Sequence, residues 1–90
     1  MDKVYIVQSH ENTGDNSDSV EVYKTLREAA SAYNKAIECT AEIFGDTEYK
    51  TSCLQEGDVK EGEGKDINLE YEVTDGGVTH TIALYSQNMK

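Results

Sequence analysis

Carboxylates are the chemical resource of this chain. The run at 56–66, EGDVKEGEGKD, brings Glu56, Asp58, Glu61, Glu63 and Asp66 close together, and it leads into a segment that displays Glu70 and Glu72. The 10–21 segment adds Glu11, Asp15, Asp18 and Glu21 with no lysine or arginine among them. Eighteen Asp and Glu stand against eight Lys and Arg, a formal net charge of −10. Such a surface attracts a basic partner quickly and in a salt-dependent way, and it repels nucleic acid and anionic membranes.

Other residues with chemical potential fall into no catalytic pattern. His80 sits on the apolar side of an alternating segment, where the expectation is a partly buried imidazole bonded to Tyr71 or to backbone. A general base needs a partner nucleophile and a substrate position, and nothing nominates either. His10 opens a polar loop and is expected to be solvated. Cys39 falls near the polar edge of a helix, in its C-terminal half, the wrong end for lowering a thiol pKa. Cys53 reads as a small strand residue. Two Cys and two His at these spacings match no zinc pattern. The segment Asp15–Ser19 lacks the central glycine and closing glutamate of a calcium loop. Gly62–Lys65 lacks the spacing and the hydroxyl residue of a phosphate loop. No cofactor, no metal and no enzymatic activity are therefore expected.

Direct nucleic-acid binding is also disfavoured, because the lysines and arginines are scattered and no basic groove accompanies the six tyrosines. Tyr33 and Tyr71 read as core, and Tyr5 and Tyr85 as cover for the second sheet face. The apolar start at 4–7 has no small-residue cleavage site after it, and no run reaches membrane-spanning length. Two cysteines are too few for a disulfide framework, so a reducing cytoplasm is the expected setting.

The elements that must position the carboxylates follow from periodicity. Residues 3–9 predict a strand, with Val4, Tyr5, Ile6 and Val7 as an unbroken apolar run that suits the sheet centre. A polar loop over 10–19 leads to a second strand near Val20, Val22 and Tyr23. Thr25 and Glu28 form a capping box. The helix after it carries Leu26, Ala29, Ala30, Tyr33, Ile37, Thr40, Ala41 and Phe44 on one stripe, with Gly45 as the left-handed residue beyond its end. Residues 48–55 read as a third strand and the next ten as a mobile loop. Ile67, Leu69, Tyr71 and Val73 then alternate with polar residues, and Val78, His80, Ile82 and Leu84 continue the pattern after a turn. With Asp75–Gly76 as the turn, Val73 faces Val78 and Tyr71 faces His80, while Glu70 and Glu72 share the wet face with Thr81 and Thr79.

The expected fold is a single α+β domain spanning 1–90. A four- to five-stranded antiparallel sheet carries one helix packed on one face, in the order β-β-α-β-β-β. The carboxylates at Glu70 and Glu72, on the 56–66 run and on the 10–21 segment then form the expected surface for a basic protein partner. A solvated acidic surface with no partner is the plainer alternative.

In size, charge and α+β outline the chain resembles the small phage-encoded anti-defence proteins, anti-CRISPR and anti-restriction inhibitors among them. The resemblance rests on those bulk properties and carries over no residues. It implies stoichiometric binding to a host nuclease or DNA-binding complex, by mimicry of the charge that duplex DNA presents. An adaptor that docks a protein partner without competing with nucleic acid is the other reading.

Overall fold

The computed structural model describes residues 3–12 and 18–88. Strands β1 (Lys3–Glu11) and β2 (Ser19–Tyr23) precede helix α1 (Leu26–Phe44). A single 3-10 turn (Tyr49–Ser52) and a short helix α2 (Glu56–Gly62) follow, and then β3 (Asn68–Asp75) and β4 (Val78–Asn88). The four strands form one antiparallel sheet in the order β2-β1-β4-β3. The apolar run of β1 thus lies in the interior of the sheet, as its lack of alternation predicts.

Helix α1 forms where its stripe and caps place it. Thr25 is the N-cap, its hydroxyl accepting the Glu28 N–H, and Gly45 ends the helix in the left-handed region at φ 76°. Leu26, Ala29, Ala30, Tyr33, Ile37, Thr40 and Ala41 are buried, and Phe44 is half-buried. This stripe packs on Tyr5, Val7, Tyr71, Ile82 and Leu84 to make the core. Burial pushes the Tyr33 phenol up to about 12.

Four expectations are corrected. Residues 48–55 form no strand. The segment turns through the 3-10 helix and is fastened to α1 by the Asn34 amide, which donates to the Leu54 carbonyl at 2.9 Å and accepts its N–H at 2.8 Å. One side chain thereby supplies the two bonds that a neighbouring strand would have given. The stretch after it is not a mobile loop but the helix α2, started by the Asp58 carboxylate accepting the Gln55 N–H at 3.0 Å. Asp and Glu in its first turn and Lys60 in its last suit the helix dipole, and Val59 buries itself in the core. The element order is therefore β-β-α-α-β-β, with two α-helices and four strands among the described residues.

The third correction is register. The turn is Gly76–Gly77 rather than Asp75–Gly76, so Asp75 pairs with Val78, Val73 with His80, Tyr71 with Ile82 and Leu69 with Leu84. Both glycines have positive φ, 59° and 84°. A two-residue hairpin turn of type I′ demands positive φ at both central positions, and two glycines meet it with no Cβ penalty at either. The shift is by two residues, so every side chain keeps its predicted face. Tyr5 is likewise corrected: it lies under α1, its hydroxyl accepting the Gly64 N–H at 2.7 Å, and only Tyr85 reaches the second face.

The register is open to test. Gly77→Ala places a Cβ at a positive-φ position and should cost about 1–2 kcal/mol in urea denaturation. In the Asp75–Gly76 register the same change falls within a strand and would be neutral or stabilising. Gly76→Asn, which suits a type I′ turn, should stay within about 0.5 kcal/mol of the parent.

Candidate functional site

The sheet has one face covered by α1 and one face that no helix covers. On the uncovered face the register builds cross-strand rows. Val22, Ile6, Tyr85 and Asn68 form one row across all four strands. Val20, Gln8, Ala83 and Glu70 form the next, and His10, Thr81 and Glu72 a third. The face grades from apolar at the β2 edge to acidic at the β3 edge. Val20 and Val22 are 56% and 61% exposed, whereas Ile6 is 6% exposed beneath its row neighbours. These rows contain no lysine or arginine. Glu70 and Glu72 are exposed, and among the described residues neither enters an ion pair or hydrogen bond.

Of the other predicted acidic residues that are described, Asp18 approaches this face through His10, and several others are engaged elsewhere. Glu63 sits at the end of α2, and both its carboxylate oxygens accept the Leu26 N–H, at 3.1 and 3.0 Å. It supplies the start of α1 with an acceptor and a negative charge, both favourable there. Gly62 beside it lies so close to Leu26 that a Cβ would come within 2.8 Å of the Leu26 side chain. Asp66 pairs with Lys3 at 2.7 Å, and Asp18 with His10 at 2.6 Å. Asp58 caps α2. Glu11 stands 3.7 Å from the His80 ring nitrogen Nδ1. Glu56 and Glu61 are exposed on α2, which packs against α1 on the covered side of the sheet. Glu21 is exposed at the edge strand, opposite Val7 and so on the covered side as well. Asp15 lies outside the described residues.

Two polar constellations were not legible as such in the sequence. His80 faces Val73 and Glu11 rather than Tyr71. Its Nε2 and the Ser9 hydroxyl are 2.8 Å apart, and its ring lies 6.4 Å from that of Phe44, tilted by 59°. Serine, histidine and carboxylate here follow the order of a nucleophile, a base and an orienting group. The 3.7 Å contact to Glu11 is an ion-pair distance and too long for the hydrogen bond that fixes a catalytic imidazole. The trio ties β1 to β4. The second constellation is Tyr71 and Asp46, whose hydroxyl-to-carboxylate bond of 2.6 Å joins β3 to the end of α1. That bond, helped by the Glu48 N–H, holds the Asp46 carboxyl below its usual value of 3.8. Burial, and then the same bond, push the Tyr71 phenol well up.

A cleft of about 520 Å³ lies where the 3-10 turn and α2 meet the start of β3, lined by Cys53, Leu54, Asp58, Glu61, Asp66 and Leu69 among others. Burial pushes the Cys53 thiol up, with the Glu38 charge adding to it. A protonated thiol of this kind is a poor nucleophile at neutral pH. Among the described residues, no three of the Cys, His, Asp and Glu side chains are grouped to hold a metal ion. No helix among them is long and apolar enough to cross a membrane.

Compared with protein-family models, curated proteins and solved structures, the chain gives no match.

The split of the carboxylates into engaged and free ones has measurable consequences. Glu63→Ala should lower stability by about 1 kcal/mol through the lost cap, whereas Glu61→Ala, which removes the same charge from the same run, should change it by less than about 0.5 kcal/mol. Urea denaturation of both variants checks this. The Tyr71–Asp46 bond adds a pH signature. A depressed carboxyl supports the fold at neutral pH and loses that support as the pH falls through its folded value, below 3.8. The stability gap between the parent and Tyr71→Phe should therefore be widest near neutrality and narrow in acid, and Asp46 in the variant should titrate closer to its usual value by NMR.

Proposed function

We propose that this protein is a small protein-binding inhibitor whose uncovered sheet face engages a basic, nucleic-acid-binding surface of a host nuclease or DNA-binding complex. The observation that carries the reading is the β3 side of that face, where Glu70 and Glu72 stand exposed in rows free of lysine and arginine. The rest of the chain adds to the field. Its net charge of −10 makes encounter with a basic surface fast and weakens it with salt. Binding of this kind needs no chemistry, only occupancy of the groove that nucleic acid would use. The expected setting is the cytoplasm that holds such a target.

A second reading has its own observation. Val22, Ile6, Tyr85, Val20 and Ala83 make the β2 half of the face apolar, and a surface meant only to imitate phosphates has no use for that half. An adaptor that buries these residues against a partner, with Glu70 and Glu72 as its polar rim, fits the same face.

Reversing both charges, Glu70→Lys with Glu72→Lys, should weaken partner binding by at least about tenfold, with the thermal midpoint nearly unchanged because both sites are exposed. Unchanged affinity would remove this face from the proposal. The partner is obtained by affinity capture at low and moderate salt with DNA as competitor. Release by DNA of a captured nuclease or DNA-binding complex supports the inhibitor. A specific partner indifferent to DNA supports the adaptor instead.

A further inference from the structure

The two edges of the sheet are unlike each other. An edge strand exposes a row of unpaired N–H and C=O groups, and proteins blunt that row with charged side chains, proline, bulges or a covering element. The β3 edge carries Glu70 and Glu72. The β2 edge is guarded by its shortness, five residues, and by Glu21 on the covered side, while its uncovered face carries no charge. Ser19–Tyr23 contains no lysine, and the chain has no proline at all. Four of its five residues are exposed, among them Val20 and Val22. Val22 heads the apolar row through Ile6 and Tyr85, and Val20 heads a mixed row through Gln8 and Ala83, so an added strand would extend the apolar row at Val22.

The charge around this edge selects what can be added. A second copy pairing antiparallel through the middle of β2 would set Glu21 against Glu21, and each copy would bring its own −10. Like charges directly opposite destabilise a sheet. On the covered side of the edge, burial raises the Tyr23 phenol, and the nearby Glu21 and Glu28 charges add to it. A segment that fits both sides alternates apolar residues, laid beside Val20 and Val22, with lysine or arginine, laid beside Glu21 and Glu28. Lys24 and Arg27, the nearby cations, lie beyond the end of the strand.

We propose that the outer edge of β2 takes an extended, basic and apolar segment of the partner as a fifth strand. This rests on the reading of the protein as a binder of a basic partner and states how that partner would be held. Main-chain bonds would give the affinity, and the alternation of side chains the specificity.

The test uses a capped peptide alternating valine and lysine, titrated into isotope-labelled protein. The control has the same charge, with proline in place of alternate valines so that it cannot pair as a strand. The expected result is amide shifts and slowed exchange over Ser19–Tyr23 for the first peptide only, with affinity at least tenfold above the control. Glu21→Lys and, separately, Val20→Lys with Val22→Lys should each remove that difference while the circular dichroism spectrum is unchanged. Equal binding of both peptides, or shifts confined to β3, would overturn the edge proposal and leave the acidic face standing. No binding of either peptide at low salt would overturn both. A dimer through β2 in sedimentation equilibrium at high salt, where repulsion is screened, would make the edge a contact between copies and overturn the proposal.

Discussion

The burial of the α1 stripe against Tyr5, Val7, Tyr71, Ile82 and Leu84 is the contact on which the rest of the molecule depends. Each of the larger side chains in it contributes about 1.5–3 kcal/mol by leaving water, and no other part of the chain has comparable apolar density. One long helix covers one face of a four-stranded sheet, and α2 adds only Val59 to the same side. The second face is consequently left without a layer. Ile6 is buried there at the sheet's interior, whereas Val20 and Val22 at the edge are exposed. The candidate surface is thus a by-product of how little helix covers the sheet.

The excess of carboxylates is divided between two kinds of work. Glu63 reaches the N-terminus of α1, Asp58 starts α2, Asp46 binds Tyr71, and Asp66 binds Lys3. These groups hold elements together in places where a negative charge meets an N–H, a hydroxyl or a cation. Glu70 and Glu72 do nothing of the kind, although their strand offers Thr81 and Ala83 as neighbours and no cation. Like charges two residues apart on one face of an edge strand repel one another without local compensation. Their cost to folding is small because both are hydrated, so the fold can carry them for another purpose.

What was legible in the sequence had strong periodicity or a specific cap. The α1 stripe, Thr25, Gly45 and the alternation of β3 and β4 all have such signals, and the structure repeats them. The 3-10 turn and α2 did not. Residues 48–55 have neither alternation nor a helical stripe, and their place is decided by Asn34, a single amide far away in sequence. Helix α2 is two turns long with one buried apolar residue and two glycines, so its pattern is indistinguishable from an acidic loop. The hairpin register was missed by two residues because two adjacent turns share the Asp–Gly–Gly run, and the faces survived because two is the period of a strand. Read as a linear cluster, the 56–66 carboxylates seemed one surface with Glu70 and Glu72. Folding α2 onto α1 separates them, since proximity along the chain does not decide which side of a sheet a residue occupies.

That separation changes the physical character of the candidate interface. Duplex DNA presents one negative charge per ~1.7 Å of its axis. Glu70 and Glu72, two residues apart along one strand, are separated by about 6–7 Å of rise. Two carboxylates at that spacing match only a short stretch of a phosphate track. Affinity for a basic groove therefore has to be completed by burial of the apolar rows, which supply contacts that DNA cannot make. An interface half carboxylate and half valine, isoleucine and tyrosine discriminates among basic surfaces. On the proposed reading it would reject those that are uniformly charged, because they would leave lysines and arginines desolvated over Val20 and Val22, and it would favour one with an apolar strip beside its cations. Charge alone would make the protein a general polyanion. On the proposed reading, the apolar residues beside the carboxylates would give the uncovered face a means of choosing its partner.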